Sequence, residues 1–283
     1  MMATTRYTRQ EYEWILSLQR VQTSMLKGKD TVLSELYSLC NNSNQLNLIK
    51  DLIVRFNCFD EDIYNLALIE IVKFISSLGY DPEKTALIAL CHDSSADSSQ
   101  VILNDLKVYI KKEAGISTFI NRFDKLLKYY NHQGKRHFIA VDEFIGSGQT
   151  VANCYKEFCG SKLHDATLDF CITAGMKDAV ELSNTKGINI FVPYIMEKGI
   201  SDHYLGNIRS VYIKEMEKLE QNLADTIYET HLPDYSFGYN RSEALYSRMN
   251  KNVPNNVFPI FWWKEYKDNK NRITLFDRVQ DGY

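Results

Sequence analysis

Apolar residues recur at spacings of three and four through EWILSLQRVQTSML, VLSELYSL, LIKDLIVRF and IYNLALIEIVKFI, the rhythm of helices with one buried face. Residues 8 to 78 therefore read as helical, with breakers at 27 to 30, 41 to 44 and 57 to 62. Past Gly79-Tyr80-Asp81-Pro82 the rhythm changes. TALIALC (85 to 91), HFIAV (137 to 141), ATLDFCITA (166 to 174) and INIFV (188 to 192) are short, continuous apolar runs with polar borders, which predicts buried strands. Helical patterns fall between them in QVILNDLKVYIKK, STFINRFDKLLKYY, TVANCYKEF and MKDAVELSN. Parallel strands need crossover connections, so this alternation predicts an α/β fold whose parallel sheet is covered on both faces. Such sheets bind ligands in the loops at the carboxyl ends of their strands, where residues 92 to 99 and 142 to 149 lie.

From residue 201 the pattern is again helical (RSVYIKEMEKLEQNLADTIY). It ends in a tail, FGYNRSEALYSRMNKNVPNNVFPIFWWKEY, dense in Asn, Pro and aromatics. Flexible linkers are poor in aromatics, so the tail reads as an ordered hood. The expected organisation is a helical region over 1 to 80, an α/β core over 81 to 200, and a helix with hood over 201 to 283.

A net charge of −3 supplies no overall attraction for nucleic acid or an anionic membrane. The six cysteines show neither CxxC nor zinc spacing with histidine and fit a reducing cytoplasm. The opening MMATTRYTRQEYEW has no apolar h-region, and NLALIEIVKFI is far shorter than the ~20 residues of a membrane span. The expectation is a cytoplasmic protein with no membrane partner.

The chemistry concentrates in DEFIGSGQT, read as the loop between a strand ending at Val141 and a helix opening near Gln149. Asp142 and Glu143 are adjacent carboxylates suited to a pair of ribose hydroxyls or to Mg²⁺. Gly146 and Gly148 allow a sharp turn and a close backbone approach, while Ser147, Gln149 and Thr150 open a helix whose free N–H groups suit a phosphate. The bland alternative is an ordinary strand-to-helix turn. The loop lacks the GK[ST] of a P-loop and the third glycine of a dinucleotide fingerprint, and no HRD or DFG of a kinase follows.

FIAVDEFIGSGQT resembles the signature of type I phosphoribosyltransferases: four apolar residues, two acids, two apolar residues, then a hydroxyl and glycine loop ending in Thr. The resemblance implies a parallel-sheet core and phosphoribosyl pyrophosphate as donor, with Mg²⁺ as cofactor. It assigns the ribose diol, and the metal, to Asp142 and Glu143, and the 5-phosphate to Gly146, Ser147, Gly148, Gln149 and Thr150. The pyrophosphate loop would be Ser94, Ser95, Ala96, Asp97 and Ser98, in a stretch with no Lys or Arg, and Gly146 stands where purine salvage members carry an acid. The N-terminal helices, SSADSSQ, VDEFIGSGQT, ALYS and PNNVFPIFWW together are similar to phosphoribosyltransferase-like effectors of bacterial antiphage systems, some encoded with retrons. That similarity implies a defence role beside partners such as a reverse transcriptase with its DNA. The alternative from another class is a nucleotide-sensing subunit that binds without turnover.

Other residues carry two readings each. Asp97 could hold a ligand hydroxyl or cap the next helix, and His92 could donate a proton or face water. Asn255 and Asn256 could read a base and Phe261 and Trp262 stack on it, or the aromatics could close a core.

Overall fold

The computed structural model describes residues 7 to 91, 97 to 161, 163 and 165 to 279. The N-terminal rhythm becomes helices α1 (Arg9–Val21), α2 (Asp30–Leu39) and α3 (Ser43–Val54), followed by the short strand β1 (Asn57–Phe59). Thr8 and Glu11 form a reciprocal capping box at the start of α1, and the Asn42 side chain caps α3. α1 stops at Val21, short of the Met25 and Leu26 that its pattern promised to include. By contacts the chain divides into two compact units, Glu61–Met196 and Met1–Asp60 joined by Glu197–Tyr283.

The first of these units is built on a parallel sheet. Helix α4 (Glu61–Ser77) opens on Glu61 and Asp62, charges that suit a helix N-terminus, and buries Tyr64, Leu68, Ile71, Val72 and Ile75 along one face. There follow β2 (Thr85–Ala89), α5 (Ser98–Glu113), β3 (Phe119–Ile120), α6 (Leu126–Gln133), β4 (His137–Ile145) and α7 (Gln149–Gly160). After them come β5 (Thr167–Met176), α8 (Lys177–Thr185), β6 (Asn189–Phe191) and β7 (Tyr194–Met196). The strand order is β3-β2-β4-β5-β6, all parallel, which delivers the expected α/β fold. β7 pairs with β5 in the register that β6 established. The gap between them holds Pro193, which has no N–H for the ladder.

Leu87, Ala89, Ile139, Val141 and Cys171 of the sheet join the apolar faces of α4 and α5 in one buried cluster. β2 is buried along its whole length and β5 along all but Thr167, as parallel strands covered on both faces are. Two expectations need correction. STFINRFDKLLKYY is not one helix: Phe119 and Ile120 add an edge strand beside Leu87 and Ile88, and α6 begins only at Leu126. HFIAV does not end at Val141, because β5 is long enough to pair with β4 through Ile145.

In the other unit α3 lies against α9 (Gly206–Glu220). β8 (Thr226–Ile227) and β9 (Thr230–His231) form a hairpin, and β10 (Tyr246–Arg248) returns to pair in parallel with β1. Phe237, Phe258, Phe261 and Trp263 of the tail are wholly buried and form a core there. Two buried carboxylates tie the tail down. Glu220 accepts from the Ser236 hydroxyl and the Phe237 amide, and Glu243 accepts from the Ile200 and Ser201 amides. Between these anchors Phe237, Asn240, Arg241 and Glu243 hold left-handed backbone, which is strained for residues other than glycine. Among the described residues no helix is long and apolar enough to cross a membrane.

Gly238 sits in this stretch at φ +79°, and a Cβ there would lie 1.8 Å from the Asn256 carbonyl oxygen. Gly238→Ala is expected to destabilise the protein by on the order of 3 kcal/mol in urea titrations, from backbone strain and overpacking together. A loss below about 0.5 kcal/mol contradicts this packing.

Candidate functional site

The chain leaves β2 through α5 to reach β3 on one side, and leaves β4 through α7 to reach β5 on the other. The winding reverses between β2 and β4, and a switch of this kind is where doubly wound sheets form a crevice at the carboxyl ends of their strands. The order is the 2-1-3-4-5 pattern of doubly wound sheets, for which this crevice is the ligand site. Both α5 and α7 begin there.

Asp142 does not leave the sheet as a loop residue; it pairs with Ile172, one residue beyond the expected strand end. Neighbouring strand residues point to opposite faces, so Asp142 and Glu143 are not the side-by-side acids that the sequence suggested. Asp142 is half-buried and accepts from the Ser98 hydroxyl at 3.1 Å and from the Glu143 amide at 2.7 Å. Glu143 is 7% exposed, and its carbonyl accepts from the Thr173 hydroxyl. Burial, and then the charge of Asp97, push the Asp142 carboxyl up to about 7, against the opposing pull of the Glu143 amide and Ser98.

Asp97 caps α5, accepting from the Ser99 amide at 2.8 Å, while its charge still reaches Asp142. Capping and ligand contact are thus compatible for this residue. Gly146 to Gly148 form the bend after β4. Gly148 stands at the start of α7 at φ +77° and brings no capping side chain, and the nearest hydroxyl, that of Ser147, meets the Gln149 amide only at 3.4 Å. Gln149 and Thr150 are exposed at the first turn, which contains no acid. A helix start with open N–H groups and no acid in its first turn suits an anion.

Ser94, Ser95, Ala96 and His92 lie outside the described residues. The tail candidates belong to the other unit. Asn256 spends its amide on the Tyr239 carbonyl and the Ser242 hydroxyl, Phe261 is fully buried, and Trp262 donates to the Val257 carbonyl. Asn255 offers its backbone carbonyl to the Tyr239 amide. Asn256 and Phe261 are thus engaged in a core, while the Asn255 side chain is half-buried and Trp262 also lines a cavity of about 340 Å³.

Sequence reasoning missed Gly175. A Cβ there would lie 2.3 Å from Ile145 Cγ2, so glycine lets β5 approach the end of β4 and set the crest from which the bend springs. The available signal was a lone glycine inside a strand-like run. Among the described residues no group of three or more His, Cys, Asp and Glu side chains is placed to hold a metal. Asp142 with Asp97 is nevertheless a hard-oxygen pair whose mutual repulsion a divalent cation relieves, so the donors fit Mg²⁺ bound partly through water or ligand oxygens.

A family model described as PRTase-CE matches residues 34 to 278. The chain belongs to the PRTase-CE family. This PRTase-CE chain is also similar to two solved structures. The orotate phosphoribosyltransferase from Aeropyrum pernix shares 12% identity, with 47% of this chain and 70% of that one covered at a TM-score of 0.32. The Helicobacter pylori xanthine-guanine-hypoxanthine phosphoribosyltransferase shares 9% identity, with 50% and 89% covered at a TM-score of 0.31. No curated protein matches it in sequence. By its family model the protein is phosphoribosyltransferase-like.

An exposed aspartate ionises at about 4, whereas Asp142 in the folded chain holds its proton until about 7. Between those values the folded chain carries a proton that the unfolded chain has released, so this contribution to stability is lost as pH rises through the window. Asp142→Asn removes the titration. With a chelator present, the stability of the variant relative to the native protein is expected to gain about 2 kcal/mol between about pH 5 and about pH 8. A difference independent of pH refutes the raised carboxyl.

Proposed function

We propose that the crevice between β2 and β4 binds a phosphorylated ribose, either phosphoribosyl pyrophosphate or a nucleotide, and that the protein acts at its anomeric carbon. The observation that carries this reading is a short stretch with two chemistries. Asp142, joined by Ser98 and Asp97, lies only a few residues before the open N-terminus of α7. The carboxylate end accepts hydrogen bonds from ribose hydroxyls, and the helix end donates to the 5-phosphate.

In the transfer, a nucleophilic acceptor forms a bond to the anomeric carbon as the bond to pyrophosphate breaks, and pyrophosphate departs with the electron pair. The protein's part is to fix the donor between the two ends of the site. Asp142 with Asp97 would hold Mg²⁺, which would supply charge neutralisation for the leaving group. Glu143, buried in the strand, positions the crest through its bonded carbonyl. The role we assign is that of an effector in antiphage defence, working with partners such as a reverse transcriptase and its DNA.

A second reading, a nucleotide sensor, is favoured by one feature: residues 92 to 99 contain no Lys or Arg to take a pyrophosphate. Pyrophosphate release from phosphoribosyl pyrophosphate, or loss of base from nucleotides, separates the two when followed with Mg²⁺ and the partner proteins. Turnover that falls at least 100-fold in Asp142→Ala supports the enzyme. Calorimetric binding that Asp142→Ala abolishes, with no substrate consumed, supports the sensor. Cells that keep full phage resistance with Asp142→Ala exclude both readings.

A further inference from the structure

The unit formed by residues 1 to 60 and 197 to 283 contains a cavity of about 470 Å³ that the reading above does not use. Its floor includes Cys58 and Ser247, partners across the parallel pair β1 and β10. The rest of its lining comes from the turn after α1, residues 248 to 252, and Leu275, Phe276, Asp277 and Val279.

The cavity's charge is lopsided. Lys27, Lys29, Arg248 and Lys251 line it against a single carboxylate, Asp277, although the chain as a whole carries −3. Two of these cations are fixed. Arg248 belongs to β10 and is 5% exposed, and Lys29 donates to the Leu275 carbonyl at 3.3 Å. Lys27 and Lys251 are exposed and free to close on a ligand. The wall itself is pinned: the Val253 amide donates to the Asp277 carbonyl at 3.1 Å, and the Val279 amide to Asn252 Oδ1 at 2.8 Å. A shaped cavity with cations at several points suits an extended anion with charge along its length better than a single phosphate.

The same lining argues against a nucleobase or a covalent ligand as the recognised part. Phe276, its aromatic side chain, is already stacked on Phe56 at 4.5 Å between ring centres. Burial keeps the Cys58 thiol protonated, with its ionisation pushed up to about 11, so it offers no thiolate.

We propose that this cavity is a second ligand site that binds a phosphoanhydride chain, supplied either as free pyrophosphate or polyphosphate or as the triphosphate of a nucleotide. The full chain is titrated calorimetrically with sodium tripolyphosphate, pyrophosphate, ATP and a short single-stranded DNA. The proteins compared are the native one, Lys27→Ala with Lys251→Ala, and Asp142→Asn. The expected result is tripolyphosphate binding that weakens at least ten-fold in the double lysine variant and persists in Asp142→Asn. It should also weaken as salt rises from about 50 to about 300 mM. ATP binding tighter than tripolyphosphate identifies a nucleotide as the source; equal binding identifies the free anion.

The proposal is overturned by no binding, or by binding that the lysine pair does not affect. It is equally overturned if only Asp142→Asn abolishes binding, which places the anion in the β2/β4 crevice, or if the DNA alone binds in a lysine-dependent way. Both lysines are on the surface, so a folding defect does not mask the result; the thermal transition of the double variant confirms it.

Discussion

The long parallel pairing of β4 with β5 governs the rest of the candidate site. It carries Asp142 up to the crest of the sheet inside a strand, so that the backbone ladder, and not a loop, fixes its direction. Glycine at 175 is what lets the two strands stay close as far as Ile145. Only then does the chain bend through Gly148 and start α7. The acid and the helix start are thus held by one continuous piece of hydrogen-bonded structure, the kind of support that keeps a binding constellation in place.

That support puts Asp142 under electrostatic load. A half-buried carboxylate beside Asp97 is poorly solvated and resists ionisation. A group that relieves the load, whether a cation or a hydroxyl donor, binds with the added advantage of ending an unfavourable state. Burial likewise pushes the Glu220 carboxyl up to about 7, but its oxygens already accept from the Ser236 hydroxyl and the Phe237 amide, and Glu243 is bonded to the Ile200 and Ser201 amides, so both hold strained backbone in place.

Much of the sheet was legible because buried parallel strands are continuous apolar runs, and TALIALC, HFIAV, ATLDFCITA and INIFV are such runs. The bend after β4 was legible because glycine and hydroxyl residues cluster there between a strand-like and a helix-like run. The faces taken by Asp142 and Glu143 were not legible, because the strand's end depends on a partner 30 residues further along. Phe119 and Ile120 read as helix for the same reason: a two-residue edge strand has no periodicity, and its existence rests on Leu87 and Ile88. The tail's aromatics gave no sign of which surface they would meet, since stacking on a ligand and filling a core ask for the same residues. The basic cavity was invisible altogether, because Lys27, Lys29, Arg248 and Lys251 are scattered in sequence and gather only when β1 pairs with β10.

That last pairing has a consequence for how the chain acquires its structure. Residues 61 to 196 form a contiguous unit whose strands and crossovers can associate as soon as they exist. The three N-terminal helices and β1 are made first, yet their partners, α9 and β10, lie beyond the whole sheet. Closing contacts across such a separation carries a large loop-entropy cost and slows folding, so the earliest helices spend the longest time with apolar faces uncovered. During synthesis, α1 to α3 are therefore the part of this protein most in need of shelter from a chaperone or a neighbouring chain.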